Sequence, residues 1–349
     1  MLLIQNQKQR MKHKNIVYVL ALLVFFGFSC QNTEPKESVS QQEEVVKTRV
    51  LTTFDSLNLN IRNEPNNPLL YNDRANFFLI TGEYNKALAD VSKAIQLDTL
   101  NPSIWITLAD VYFAKERFVD SRAILLKTIK MDPQNTAALL KLSRLYFIYQ
   151  DYKISLQYVD DALAIDPMLE DAYFLKGMTY AEKGDTASAI FQYQKAVEVN
   201  PDFYDAWIML GNLQAAKQNP LAEQYYQNAL DLDTNNTHAI YIMGLYYQDN
   251  GNLGEAVRKY ESLLAKEESE NAYYNLGYIN MVYLEDFPQA INYFQKALNI
   301  NENYHDALFN MALALELSGD KEDARIKYKE LLKKVPNHEK ALSQLNQLD

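Results

Sequence analysis

Pro133, Pro167 and Pro201 stand 34 residues apart, twice in succession. A spacing held that strictly restricts a chain to a stacked array, because each period is one supersecondary unit repeated. Between the last two prolines lies MLEDAYFLKGMTYAEKGDTASAIFQYQKAVEVNP. Tyr173, Gly177 and Tyr180 fall at i, i+4 and i+7, so they share one helical face. Gly184 and Asp185 break that pattern; Ala189, Tyr193 and Ala196 begin a second face, and Pro201 stops it. The period therefore predicts helix, tight turn, helix, stop.

The same frame fits eight times, over 68–101, 102–135, 136–169, 170–203, 204–236, 237–269, 270–304 and 305–338. Two repeats are one residue short and one is a residue long; AAKQNPLAE has lost a residue in its turn and YLEDFPQA has gained one. WIMLG, Trp207 to Gly211, satisfies W-x2-L-G, and YYNLG, Tyr273 to Gly277, is its tyrosine variant. On these residues the chain resembles the tetratricopeptide repeat, whose pattern is W-x2-L-G-x2-Y, A-x3-F, then P. The resemblance covers about three quarters of the chain and implies an all-α, right-handed superhelical solenoid.

Glycine usage agrees with that frame. Gly177, Gly211, Gly244 and Gly277 take the eighth position, where the two helices of a repeat touch. Gly82, Gly184, Gly251 and Gly319 take the fifteenth, where a left-handed residue ends the first helix. Only Gly27 and Gly254 lie outside the scheme, so there is no material for a phosphate-cradling glycine loop. Tyr112, Tyr146, Tyr180 and Tyr247 at position 11, and Tyr193, Tyr226, Tyr260 and Tyr328 at position 24, are expected in the core.

Flanking segments complete the layout. Val46, Val50, Phe54, Leu57 and Ile61 keep a helical stripe, which predicts an N-terminal capping helix within 42–67. Ala341, Leu342, Leu345 and Leu348 predict a C-terminal capping helix within 339–349. Residues 1–29 read as a secretory signal: a basic start at Lys12, His13 and Lys14, an uncharged run from Ile16 to Phe28, then Cys30. That run is too short to cross a hydrocarbon core in a helix, which takes about 20 residues. Cys30 is the one cysteine of the chain, and FSCQN resembles the lipobox of lipoproteins of the Bacteroidetes, with Phe28 and Gly27 departing from the usual residues. The resemblance implies lipid on Cys30 after cleavage, and a polar tether over 30–41 reaching at most ~40 Å. Gln31 is not the aspartate associated with inner-membrane retention, which favours the outer membrane.

Charge limits the partners. Without residues 1–29, which hold four Lys/Arg and no acid, 30 basic residues face 45 acidic ones, a net charge of −15. That balance argues against nucleic acid and against anionic headgroups. The four histidines are scattered, and no HExxH, GxSxG or CxxC occurs, so neither a metal site nor an enzyme is expected. No cofactor is expected either.

Binding is expected instead. In the tetratricopeptide family, positions 2, 5, 9 and 12 of the first helices line a concave surface that meets the ligand. Carried over, position 5 gives Asn72, Ile106, Leu140, Phe174, Ile208, Tyr241, Tyr274 and Phe309. Position 9 gives Asn76, Asp110, Arg144, Met178, Asn212, Leu245, Tyr278 and Leu313; position 12 adds Phe113, Phe147 and Met281. Tyr241, Tyr274, Tyr278 and Phe309 are expected to form one aromatic strip for an apolar peptide, with Asn212 holding its backbone. A chaperone-tail clamp is disfavoured: Asn72 and Asn76 supply half of its first requirement, and Arg144 alone is basic among these positions. The expectation is a membrane-anchored scaffold or adaptor. The alternatives are an assembly or pilotin-type lipoprotein, or a non-catalytic subunit presenting substrates to an envelope enzyme.

Overall fold

The computed structural model describes residues 53–348. Residues 1–52, with the signal segment, Cys30 and the tether, lie outside them. Among the described residues there are helices and turns and no strand. Helix α1 covers 53–63. Then come eight pairs: α2 (Pro68–Ile80) with α3 (Tyr84–Leu97), α4 (Pro102–Ala114) with α5 (Phe118–Met131), α6 (Thr136–Ile148) with α7 (Tyr152–Ile165), and α8 (Glu170–Glu182) with α9 (Thr186–Val199). The series continues with α10 (Tyr204–Ala216) and α11 (Leu221–Leu232), α12 (Thr237–Asp249) and α13 (Leu253–Leu264), α14 (Glu270–Ile279) and α15 (Phe287–Ile300), and α16 (His305–Ser318) and α17 (Lys321–Lys334). Helix α18 (Glu339–Leu348) comes last. The helices fall into two compact blocks divided between Ala206 and Trp207.

Local chemistry starts and stops these helices. Asn67, Asn101, Asn135 and Asn236 each turn a side-chain oxygen onto a backbone N–H of the adjoining first turn. Asp151, Asp185 and Asp286 do the same for second helices. Pro68 and Pro102 occupy the first helical residue, where no N–H is needed. At the far end of every first helix one residue is left-handed. Four are the expected glycines; the others are Glu116, Gln150, Gln218 and Glu285, at φ between 55° and 60°. A side chain there costs roughly 1–2 kcal/mol that glycine avoids. Gln150→Gly is therefore expected to stabilise the fold by about 0.5–1 kcal/mol after glycine's entropic cost. Urea midpoints measure it, and a lowered midpoint would contradict this account of the turn.

The core of a repeat is a contact between positions 8 and 24. Ideal Cβ atoms at Gly177, Gly244 and Gly277 would lie 2.6, 2.6 and 2.7 Å from the rings of Tyr193, Tyr260 and Phe294. Gly211 meets Tyr226 in the same way. In the first three repeats Ala75, Ala109 and Ser143 stand at position 8, and the buried residues at position 24 are the smaller Val91, Leu125 and Val159. In the first seven repeats a ring goes with a glycine and an aliphatic side chain with Ala or Ser; the eighth, with Ala312 and Tyr328, is the exception. The four tyrosines expected at position 24 are all buried; of those at position 11, Tyr247 is buried and Tyr112, Tyr146 and Tyr180 are half-buried.

Each end has its own clasp. In the N-terminal block Arg74 donates to both carboxylate oxygens of Asp90, at 2.6 and 2.7 Å, and to Asn58 of α1 at 2.7 Å. Phe54 of α1 stacks on Phe77 at 5.6 Å. In the C-terminal block Arg325 donates to the carbonyl of Leu348 at 2.5 Å, tying α18 to α17.

The seventh repeat departs from expectation. Its extra residue lies not in the turn but in a π-helical turn, Asn280–Leu284, that prolongs α14. A wider turn takes up one residue without breaking the helix, and it advances the residues beyond it by one register place.

Candidate functional site

Within each block the first helices of neighbouring repeats approach one another, and the predicted ligand-facing residues come from them. In the N-terminal block these are only partly open. Asn72 is 7% exposed, and its carbonyl oxygen has no hydrogen-bond partner. Asn76 accepts from Thr107 of the next repeat at 3.4 Å. Both asparagines are thus packed into contacts of the array, and Asn72 is no surface residue. Phe174 is half-buried between Tyr193 and Phe203, 5.3 and 5.0 Å away between ring centres. Met178, Ile106 and Leu140 are half-buried and Arg144 is exposed.

Two carboxylates that sequence reasoning passed over lie on this face. Asp171 is open to solvent, yet the surrounding protein pushes its carboxyl above the usual carboxylate range, and the charge of Arg144 works against that push. Asp205 is raised too, first by burial and then by Asp171. An exposed acid with a raised pKa has protein on several sides while water still reaches it. Lys141 bridges to Asp110 of the preceding repeat at 2.8 Å.

In the C-terminal block the expected aromatic strip divides. Tyr241 and Tyr274 are half-buried, and their hydroxyls accept from Asn275 and Asn310, at 3.2 and 3.0 Å. Both donors stand at position 6 of the next repeat, so the contact recurs as a ladder of tyrosine and asparagine between repeats. Sequence reasoning missed it, although two asparagines at one position in successive repeats were the available signal. Tyr274 also stacks on Tyr304 at 5.0 Å, and the Tyr304 hydroxyl donates to Asn271 at 3.1 Å.

Tyr278 and Phe309 do not face water. Tyr278 is 1% exposed, with the rings of Tyr274 and Tyr283 at 6.5 and 6.3 Å, and its hydroxyl has no hydrogen-bond partner. Met281, beyond it in the π turn, is buried as well. Phe309 is 3% exposed, because His338 lies 5.2 Å from its ring and the Lys340 amine 5.9 Å above it. Those residues lead into and belong to α18, so the end cap covers this position. Asn212 is likewise engaged: its carbonyl accepts from Tyr226 at 2.8 Å. Half-buried Tyr241, Leu245 and Tyr274, with exposed His238, Asn271 and Asp306, make up the face that stays accessible.

Among the described residues no group of three or more His, Cys, Asp or Glu side chains is placed to hold a metal ion. No described helix is long and apolar enough to cross a membrane.

Family models described as tetratricopeptide repeat match residues 106–168, 170–203 and 281–339. A tetratricopeptide repeat protein from Parabacteroides merdae is 16% identical over 71% of this chain and 99% of its own, with a TM-score of 0.50. The human IFIT1 dimer is 15% identical over 82% of this chain and 68% of its own, with a TM-score of 0.54. These two likenesses are of fold. An uncharacterized protein of Methanocaldococcus jannaschii is 50% identical over 40 residues, 12% of this chain, and the match spans 46% of that protein's length.

Proposed function

The chain carries tetratricopeptide repeats and is an interaction scaffold, and from that premise we propose that it is anchored by lipid on Cys30 and holds a segment of a partner protein against its first-helix face. One observation carries the docking face: beside the ladder that holds their hydroxyls, Tyr241 and Tyr274, with Leu245, keep ring and aliphatic surface accessible on two successive repeats. The signal layout ahead of Cys30 supports the anchor, and the acidic balance of the remainder leaves acyl chains as its means of membrane contact. Gln31 favours the outer membrane.

Crosslinking in intact cells tests both parts. Cys30→Ser is expected to lose incorporation of labelled fatty acid and to leave the membrane fraction; a serine variant that stays membrane-bound after high-salt washing, with its N-terminus mapped to exclude an uncleaved leader, would refute the anchor. Tyr241→Ala with Leu245→Ala is expected to lose partner crosslinks. Asn275→Ala, which breaks the same hydrogen bond but keeps the Tyr241 ring, is expected to retain them. Equal loss in both variants would make the face a packing surface only.

A further inference from the structure

The turns inside the first three repeats leave apolar side chains in water. Ile80 is 72% and Val119 65% exposed, and Tyr84, Ile148 and Tyr149 are exposed as well. Behind them Phe113 meets Phe118 and Phe147 meets Tyr152, at 5.2 and 5.9 Å between ring centres. Lys115 donates to Asn85 at 2.6 Å and joins the first two turns. The stripe stops at the fourth repeat, whose turn over 182–186 reads EKGDT.

Charge and topology set this edge apart. Residues 80–86, 114–120 and 148–153 hold four Lys or Arg and four Asp or Glu. That is a neutral edge on a chain whose net charge without residues 1–29 is −15. The turns between repeats, at the other end of the helices, also expose Leu100 and Met168. They carry Asp98, Asp132, Asp166 and Asp202, and no Lys or Arg over 98–101, 132–135, 166–169 and 200–203. The chain enters the block at the neutral edge. Phe54 stacks on Phe77 and lies 5.8 Å from the Phe78 ring, while Asn58 accepts from Arg74. Helix α1 thus runs antiparallel to α2 and begins beside its last turn.

We propose that this edge of the first three repeats rests on the surface of the membrane that holds the anchor. Cys30 stands 23 residues before Thr53, at most ~80 Å of extended chain. A lipid there keeps the edge at high effective concentration over the bilayer, so a few exposed side chains suffice. Ile80, Val119 and Ile148 enter the boundary between headgroups and acyl chains. Tyr84 and Tyr149 suit the headgroup level, ring inward and hydroxyl in water. A neutral edge escapes the repulsion that anionic headgroups exert on the opposite, acidic one. The inference rests on the anchor reading above and adds which side of the block meets the lipid.

Quenching of tryptophan emission by brominated phosphatidylcholine tests it, with the isolated chain held on vesicles through Cys30. Its own acyl chains hold it there or, if mass spectrometry finds a free thiol, coupling to a maleimide-headed lipid does. A free thiol would refute the anchor, and the edge is still judged by the quenching. Val119→Trp is expected to add emission that is shifted to the blue and about half quenched by the brominated lipid. Leu100→Trp, at the opposite edge, is expected to add emission that the lipid leaves unquenched. Both positions are exposed, so the fold tolerates either substitution. Ile80→Asp with Ile148→Asp, added to Val119→Trp, is expected to abolish the quenching while the chain stays on the vesicle. Equal quenching at the two edges, none in Val119→Trp, or quenching that survives the two aspartates would overturn the proposal. A blue-shifted Val119→Trp emission without vesicles, in a chain that sediments as a dimer, would give the edge to a second copy and also overturns it.

Discussion

Gly177→Ala is expected to destabilise the fourth repeat by about 1–3 kcal/mol, because the added methyl would enter the space of the Tyr193 ring. Tyr193→Leu alone is expected to cost about 2–3 kcal/mol through the void it leaves. Combined, the two substitutions recreate the pair found in the second repeat, Ala109 opposite Leu125. The double variant should therefore be more stable than the sum of the single losses by at least about 1 kcal/mol. Urea denaturation supplies the four corners of the cycle, and hydrogen exchange over 170–203 should show the loss concentrated in that repeat and its neighbours. Additive losses would mean that the two positions do not share one space. The eighth repeat sets Ala312 opposite Tyr328, an alanine facing a ring, next to the short α18.

Tyr278 separates two effects that one ring usually combines. Tyr278→Ala is expected to cost about 3–5 kcal/mol, as for other large rings truncated in a packed interior. Tyr278→Phe keeps the ring and removes only the hydroxyl, which has no partner to lose. It is expected to be neutral or to stabilise by up to ~1 kcal/mol. Thermal melts of the two variants check this. A phenylalanine variant as damaged as the alanine one would show that the hydroxyl is bonded in the folded protein.

The contrast explains why much of this chain is legible and part of it is not. Helix ends are written locally: an asparagine or aspartate before a first turn, a left-handed residue after the last, a proline two places beyond the second helix. Gly177 and Tyr193 announce each other because both lie in one repeat. The burial of Phe309 depends on His338 and Lys340, which belong to the end of the array and break its periodicity. A frame derived from the family assigns position 5 to a ligand everywhere, yet Asn72 and Ile208 are buried there as well, and at Phe309 it is the cap that overrides it. Met281, inside the π turn, and Tyr278, just before it with Tyr283 of that turn against its ring, escape that frame for another reason. A one-residue insertion has no compositional mark, so nothing in YLEDFPQA says whether it widens a helix or lengthens a turn. Asn275 and Asn310 are readable as a repeated pair, but their partners one repeat earlier become evident only when the helices are laid side by side.

The matching of position 8 to position 24 also bears on how such a chain can be inherited. Both members of a pair lie within a single 34-residue period. Duplication, deletion or crossover at period boundaries therefore carries every glycine along with its ring. A crossover inside a turn would join the first helix of one lineage to the second helix of another. Ala109 would then face Tyr193, or Gly177 would face Leu125, one pairing crowded and the other hollow. Viable rearrangements of the gene should have breakpoints near the codons for Pro133, Pro167 and Pro201, and the codons for Gly184 and Gly251 should be cold spots.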